Sequence, residues 1–147
     1  MRVGHISDIH GCFGKVVNTT ETPDLWIATG DMFPNESRGH VETEVAYQTR
    51  CWATSGAWIA KRFGRTPVVC VSGNHDYISF AACLREHGVE AYDVTEAPFV
   101  EVLGLRFAGF REIPYIIGEW NGECYDFEPL VSSAMAADPD ILLTHAP

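Results

Sequence analysis

Basic residues are scarce in this chain. Of its 147 residues, 10 are Lys or Arg and 20 are Asp or Glu, so the formal net charge is −10 at pH 7. A protein that holds DNA or RNA without sequence preference needs a basic surface to displace counterions from the phosphates. The composition therefore disfavours a non-specific nucleic-acid binder, although bound metal cations would reverse the local charge and admit a phosphate-containing substrate.

Long apolar runs and paired cysteines are missing as well. No segment approaches the roughly 20 apolar residues of a membrane-spanning helix, and the first residues lack the apolar core of a secretory signal. The five cysteines are odd in number, widely spaced and form no CxxC motif, which disfavours a disulfide framework and a thiolate zinc site. We therefore expect a cytoplasmic protein with reduced thiols and no membrane partner.

Apolar residues nevertheless make up 46% of the chain, which is typical of a globular domain. Short apolar runs at 3–7, 24–29 and 67–72 predict strands. These runs show little polar alternation, which indicates strands buried on both faces, as in a parallel sheet covered by helices.

A long helix is predicted between the second and third of these strands, with Gly64 as its end. The apolar residues on its predicted buried face are Val45, Trp52, Gly56, Ile59 and Phe63. Glu42 and Glu44 are predicted to be solvated charges on the same helix. A shorter helix is predicted over 78–87, with Gly88 as its end.

The pattern changes in the second half of the chain. Glycine between two apolar runs, at 99–103 and 105–110, predicts a hairpin or a pair of adjacent strands. A surface loop over 111–125, a short helix over 127–137 and a buried strand over 140–144 complete the predicted elements. The alternation of strands and helices predicts an α/β fold in one domain.

Polar residues follow each apolar strand at its carboxyl end, the edge at which open α/β sheets bind ligands. They are Asp8, His10, Asp31, Asn74, His75, Asp76 and His145. Each motif alone is also typical of a helix cap, a turn or a packed histidine. Together, carboxylate, imidazole and amide oxygen at one edge form the ligand set of a divalent ion such as Mn, Fe or Zn.

These motifs resemble those of the calcineurin-like metallophosphoesterase family. The family order D-x-H, GD, GNH(D/E) and a lone His is matched, from Gly4 onwards, by Asp8-Ile9-His10, Gly30-Asp31, Gly73-Asn74-His75-Asp76 and Thr144-His145-Ala146-Pro147. The resemblance implies a layered fold with a central, mostly parallel sheet flanked by helices. It also implies hydrolysis of a phosphomonoester or phosphodiester, with a small molecule or a nucleotide as substrate.

The resemblance implies a role for each metal-site residue. Asp8 and His10 would hold a first divalent metal, and Asp31 would bridge it to a second. Asn74 and His145 would hold that second metal. A carboxylate can bridge two cations about 3.5–4 Å apart, and a hydroxide between them can attack phosphorus in line.

The resemblance makes His75 the catalytic residue, not a ligand. It would lie near the scissile phosphate as a general acid or a transition-state stabiliser, and Asp76 is a candidate to orient it. Trp120, in the predicted loop, either lines a substrate pocket or packs the loop. A defective metal- or phosphate-binding form and a nuclease are the alternatives, and the acidic charge disfavours the nuclease.

Two departures from the family pattern narrow these expectations. The protein phosphatase branch continues its second motif as GDxVDRG, but Pro34 stands in place of the second aspartate and Arg38 comes later than the motif places its arginine. A Ser/Thr protein phosphatase is therefore disfavoured, and Arg38 is either a phosphate contact or a solvated loop residue.

The final G-H-x-H is not found in the sequence. We therefore expect a domain over 1–147 that is truncated at its C-terminus, with an incomplete second sheet, or a short form with weak catalysis.

Overall fold

A computed structural model of the chain describes residues 1–16, 22–37, 40–118 and 120–145, so the prediction for Arg38 lies outside the described residues. The elements in chain order are β1 Val3–Ile6, α1 Phe13–Val16, β2 Leu25–Thr29, α2 Val41–Phe63, β3 Val68–Val71, α3 Phe80–Glu86, β4 Ala91–Asp93, β5 Val100–Val102, β6 Leu105–Phe110, β7 Ile113–Pro114, β8 Glu123–Cys124, α4 Glu128–Ala136 and β9 Ile141–Thr144.

The first sheet contains β1, β2, β3 and β4 in that order, and all three pairings are parallel. Side chains alternate between its faces. In β3, Val68 and Cys70 join the core with α2 and α3, whereas Val69 and Val71 join a second core. All four residues are buried, as expected for a strand covered on both sides. The predicted α/β fold with a central parallel sheet is confirmed.

The second core lies between the two sheets. In the second sheet, β5 pairs antiparallel with β6, and β6 pairs parallel with β9. Val102, Phe107 and Leu143 pack there against the first sheet. The predicted hairpin is confirmed, but β9 is buried on one face only, because Leu142 is 39% exposed and Leu143 is 4% exposed. The predicted loop at 111–125 contains the short parallel pair β7 and β8.

Helix α2 ends at Gly64, as predicted. Its buried face has Trp52 at the centre, but near the N-terminus the predicted face is wrong. Glu44 is 0% exposed, whereas Val45 is 36% exposed. The Glu44 carboxylate accepts hydrogen bonds from the backbone N–H of Glu36 at 3.1 Å and of Ser37 at 2.6 Å. The helix turns this face to the backbone of a polar loop, where a hydrogen-bond acceptor fits better than an apolar side chain. Among the described residues, no helix is long and apolar enough to cross a membrane.

Replacing Glu44 with Ala should destabilise the protein, because two backbone donors would lose their acceptor. We expect the free energy of unfolding in urea to fall by about 1–3 kcal/mol. The control is Glu42→Ala, an exposed acidic residue in the same first turn, for which we expect a change within about 0.5 kcal/mol. Equal losses in both variants would contradict a bonding role for Glu44.

Candidate metal centre

Three loops meet at the carboxyl edge of the first sheet. Asp8 and His10 follow β1, Asp31 follows β2, and all three have left-handed backbone, with φ of 54°, 42° and 56°. Backbone bonds hold the first loop to the second, because Asp8 N–H donates to Gly30 O at 3.0 Å and His10 N–H to Asp31 O at 2.9 Å. Left-handed backbone at non-glycine residues costs free energy and concentrates at functional sites.

Two glycines allow the loops to come this close. A Cβ on Gly30 would lie 2.5 Å from His145 Nδ1 and 2.6 Å from Gly73 N. A Cβ on Gly73 would lie 2.2 Å from Asp31 Oδ1. All three distances are shorter than real Cβ contacts, so no larger residue fits at either position without moving the loops. Gly30 and Gly73 are therefore explained by the close approach of the loops around Asp31.

The Asp31 carboxylate lies at the centre of the cluster and is 3% exposed. Its Oδ1 accepts from His75 N–H at 2.9 Å and lies 3.4 Å from His145 Nε2. Its Oδ2 lies 3.6 Å from His10 Nε2 and 3.9 Å from His75 Nε2. The two oxygens thus face different imidazole groups, which is the arrangement that a bridging carboxylate requires.

Two groups of three potential ligands share Asp31. One is His10, Asp31 and His75, and the other is Asp8, Asp31 and His145; within each, the ligand atoms lie within 4.8 Å of one another. Nitrogen and oxygen donors without thiolate suit a divalent first-row cation, so the donor set fits the metals that the motifs imply.

The pairing differs from the one that the resemblance implies. Asp8 groups with His145 instead of His10, and His75 stands among the potential ligands. Asn74, predicted as a ligand, has Oδ1 3.0 Å from His145 Nε2. The structure therefore brings all five predicted ligands and His75 together, and the assignment of each to a particular metal stays a prediction.

His145 is held on both edges of its ring. Its Nδ1 donates to Thr29 O at 2.7 Å, which turns Nε2 toward Asp31 and Asn74. Burial lowers the pKa of His145, but the bonds to Asp31 and Thr29 outweigh burial and raise the pKa to about 9. Burial likewise raises the pKa of Asp31, and His145 and the His75 N–H outweigh it, so that this pKa lies below its usual value. Without metal, the two side chains form an ion pair.

His75 is oriented by Asn35, which the sequence analysis did not single out. Asn35 Nδ2 donates to His75 O at 3.2 Å, so its Oδ1 faces His75 Nδ1 at 2.6 Å and accepts its proton. His75 Nε2 then points toward Asp31. Burial lowers the pKa of His75 more than the Asp31 charge raises it. Asn35, one residue beyond Pro34, therefore fixes the proton of His75 on Nδ1.

Asp76 does not orient His75, contrary to the hypothesis above. Its carboxylate accepts from the backbone N–H of Phe33 at 3.0 Å and of Gly73 at 2.9 Å. Burial raises the pKa of Asp76 to about 6, although these two N–H groups lower it. Asp76 thus joins the loop after β2 to the loop after β3.

Gln48 of α2 joins the loop after β2 to the loop after β3. The sequence analysis did not single out this residue. The side chain is 0% exposed. Its Nε2 donates to Pro34 O at 3.2 Å and to His75 O at 2.6 Å, and its Oε1 accepts from Tyr77 N–H at 2.9 Å. Its spacing of four residues from Glu44 and from Trp52 was the available signal, since it places a polar side chain on the buried stripe.

Metal binding should depend on pH through His145, because a cation must displace the proton that Asp31 stabilises. The pKa is raised from 6.5 to about 9, so the proton competes below pH about 9. We expect the affinity for Mn²⁺ by titration calorimetry to rise from pH 6.5 to 8.5, by up to about tenfold per unit. The slope should shrink in His145→Asn, whose amide releases no proton. An affinity independent of pH would contradict this account.

The family model for calcineurin-like phosphoesterase matches residues 1–147, the whole chain. No curated protein matches the chain significantly. The family is characterised by metal-dependent hydrolysis of phosphoesters, which agrees with the clustered candidate ligands around Asp31. The chain therefore belongs to the calcineurin-like phosphoesterase family.

Proposed function

We propose that this chain is a metal-dependent hydrolase that cleaves a phosphomonoester or phosphodiester bond at a centre of two divalent cations. Membership of the family supports the reaction class. The observation that carries the two-cation centre is the Asp31 carboxylate, whose Oδ1 faces His145 at 3.4 Å and whose Oδ2 faces His10 at 3.6 Å. One buried carboxylate shared by two sets of imidazole and carboxylate donors is the expected scaffold of a binuclear centre.

The proposed ligands are those that the motifs predict. Asp8, His10, Asp31, Asn74 and His145 would hold two cations, with Mn, Fe and Zn as the candidates. When bound, such cations lower the pKa of water and neutralise the negative charge that develops on the phosphoryl group. In the protein, Thr29 O fixes the His145 ring through Nδ1, so that Nε2 is the atom offered to a cation once its proton has left.

His75 is the proposed catalytic residue. Asn35 holds its Nδ1 proton, and Nε2 lies 3.9 Å from Asp31 Oδ2, beside the proposed phosphate position. Protonated at Nε2, the ring can donate to a phosphoryl oxygen or transfer a proton to the leaving oxygen. Gln48 and Asn35 both hold the carbonyl of His75, so the ring is placed before substrate arrives.

The proposed substrate is a small-molecule or nucleotide phosphoester. The net charge of −10 supports this choice over a long nucleic acid. All five cysteines are free thiols, which accords with the cytoplasmic location that we propose.

Replacing Asp31 with Ala should abolish hydrolysis, because the only proposed bridge is lost. With Mn²⁺ and nitrophenyl phosphate mono- and diesters, we expect kcat/KM to fall at least about a thousandfold. The matched control is Asp93→Asn, another buried carboxylate, which accepts from Thr95 N–H and Oγ1 away from the cluster; its activity should be retained.

Two outcomes would contradict the proposal. Retained activity in Asp31→Ala would reject the ligand assignment. Absence of metal-dependent turnover by the unaltered chain, on these esters and on short single-stranded DNA, would favour a non-catalytic metal- or phosphate-binding form of the same fold.

A further inference from the structure

The segment between β7 and β8 is shaped by one carboxylate. Glu123 Oε2 accepts from the backbone N–H of Ile116 at 3.0 Å, Ile117 at 3.1 Å and Gly118 at 2.5 Å, and Oε1 accepts from Trp120 N–H at 3.0 Å. Four donors on one side chain fix the backbone of residues 116–118 and of Trp120. The backbone of Trp120 is therefore held in place by Glu123.

The same segment is attached to the proposed catalytic residue. The Trp120 and His75 ring centroids lie 4.4 Å apart, with an interplanar angle of 47°. Asn121 Nδ2 donates to Asp76 O at 3.0 Å, one residue beyond His75 in the chain. Trp120 is half-buried, so part of its indole remains open to a ligand beside the centre.

The same part of the chain also carries exposed apolar side chains. Tyr115 and Tyr125 stack with centroids 4.2 Å apart and 20° between planes. They are 43% and 81% exposed, and the neighbouring Ile116 and Ile117 are 58% and 53% exposed. Clustered exposed apolar side chains are typical of an interaction surface.

We propose that Trp120 is a specificity residue that binds a planar ring carried by the ester group of the substrate, such as the base of a nucleotide. The inference rests on the proposed function of this centre. An ester oxygen within reach of His75 Nε2 places the group bonded to it next to the residues that border His75. Of the two rings in contact with His75, His10 is a proposed metal ligand, which leaves the Trp120 indole for the ester group. Indole stacks on any nucleobase, because every base has a π face.

The test compares two ligands with the same 5′-phosphate ester, adenosine 5′-phosphate and ribose 5-phosphate, of which only the first carries a planar base. Their dissociation constants from the full chain loaded with Mn²⁺ are measured by calorimetry, which needs no turnover. We expect the adenosine ligand to bind about tenfold more tightly. Trp120→Ala should remove this preference and leave the affinity for ribose 5-phosphate unchanged, and Trp120→Phe should retain most of it.

The matched control is Trp58→Ala. Trp58 is an exposed tryptophan on α2 that packs under the Arg62 guanidinium at 5.1 Å, and its loss should leave the preference intact. Equal affinities in the unaltered chain, an unchanged preference in Trp120→Ala, or no binding of either ligand would overturn the inference. A preference for the adenosine ligand without turnover of any phosphoester would support the ring site and count against the proposed hydrolysis.

Discussion

The burial of the Asp31 carboxylate is the constraint on which the rest of the site depends. A carboxylate that is 3% exposed is costly to ionise unless charge and hydrogen bonds compensate it. The His75 N–H and the protonated His145 do so without metal. Bound cations would replace the His145 proton, since Asp31 already directs its oxygens to separate donor groups. The proton and a bound cation would therefore compete for the same negative charge.

The surrounding fold brings together the loops that carry the site residues. Strands β2 and β3 divide their side chains between two cores, so the centre of the first sheet is covered on both faces. Helix α2 has two roles along one face. Trp52 and Phe63 pack in the core, whereas Glu44 and Gln48 bond to the loops that carry Asn35 and His75. The polar end of a core helix thus supports the site from beneath.

The central strands could be predicted from sequence because runs such as 67–72 are apolar on both faces. The site edge could also be predicted, because β1, β2 and β3 are each followed by potential ligands. Strand β4 was missed, because three residues, Ala91–Asp93, show no periodicity. The face of α2 was misassigned at Val45 because helical period alone does not reveal that Glu44 meets backbone N–H groups.

Asn35 and Asp76 show a different limit of sequence reasoning. Both are polar residues in loops, and only the tertiary contacts separate the one that holds the His75 ring from the one that joins two backbones. The motif position of the phosphatase aspartate falls on Pro34. The residue that bonds to the His75 ring, Asn35, comes one position later. A sequence motif gives the spacing of residues along the chain. The hydrogen-bond partner of the His75 ring depends instead on where the loop after β2 folds back in space.

The central claim is that Asp31 bridges two cations, and electron paramagnetic resonance of the chain saturated with Mn²⁺ tests it most directly. Two Mn²⁺ ions that share a carboxylate at about 3.5–4 Å are exchange-coupled. We predict two bound ions per chain and the spectrum of a coupled pair. A spectrum of isolated, uncoupled Mn²⁺ at full occupancy would contradict the account.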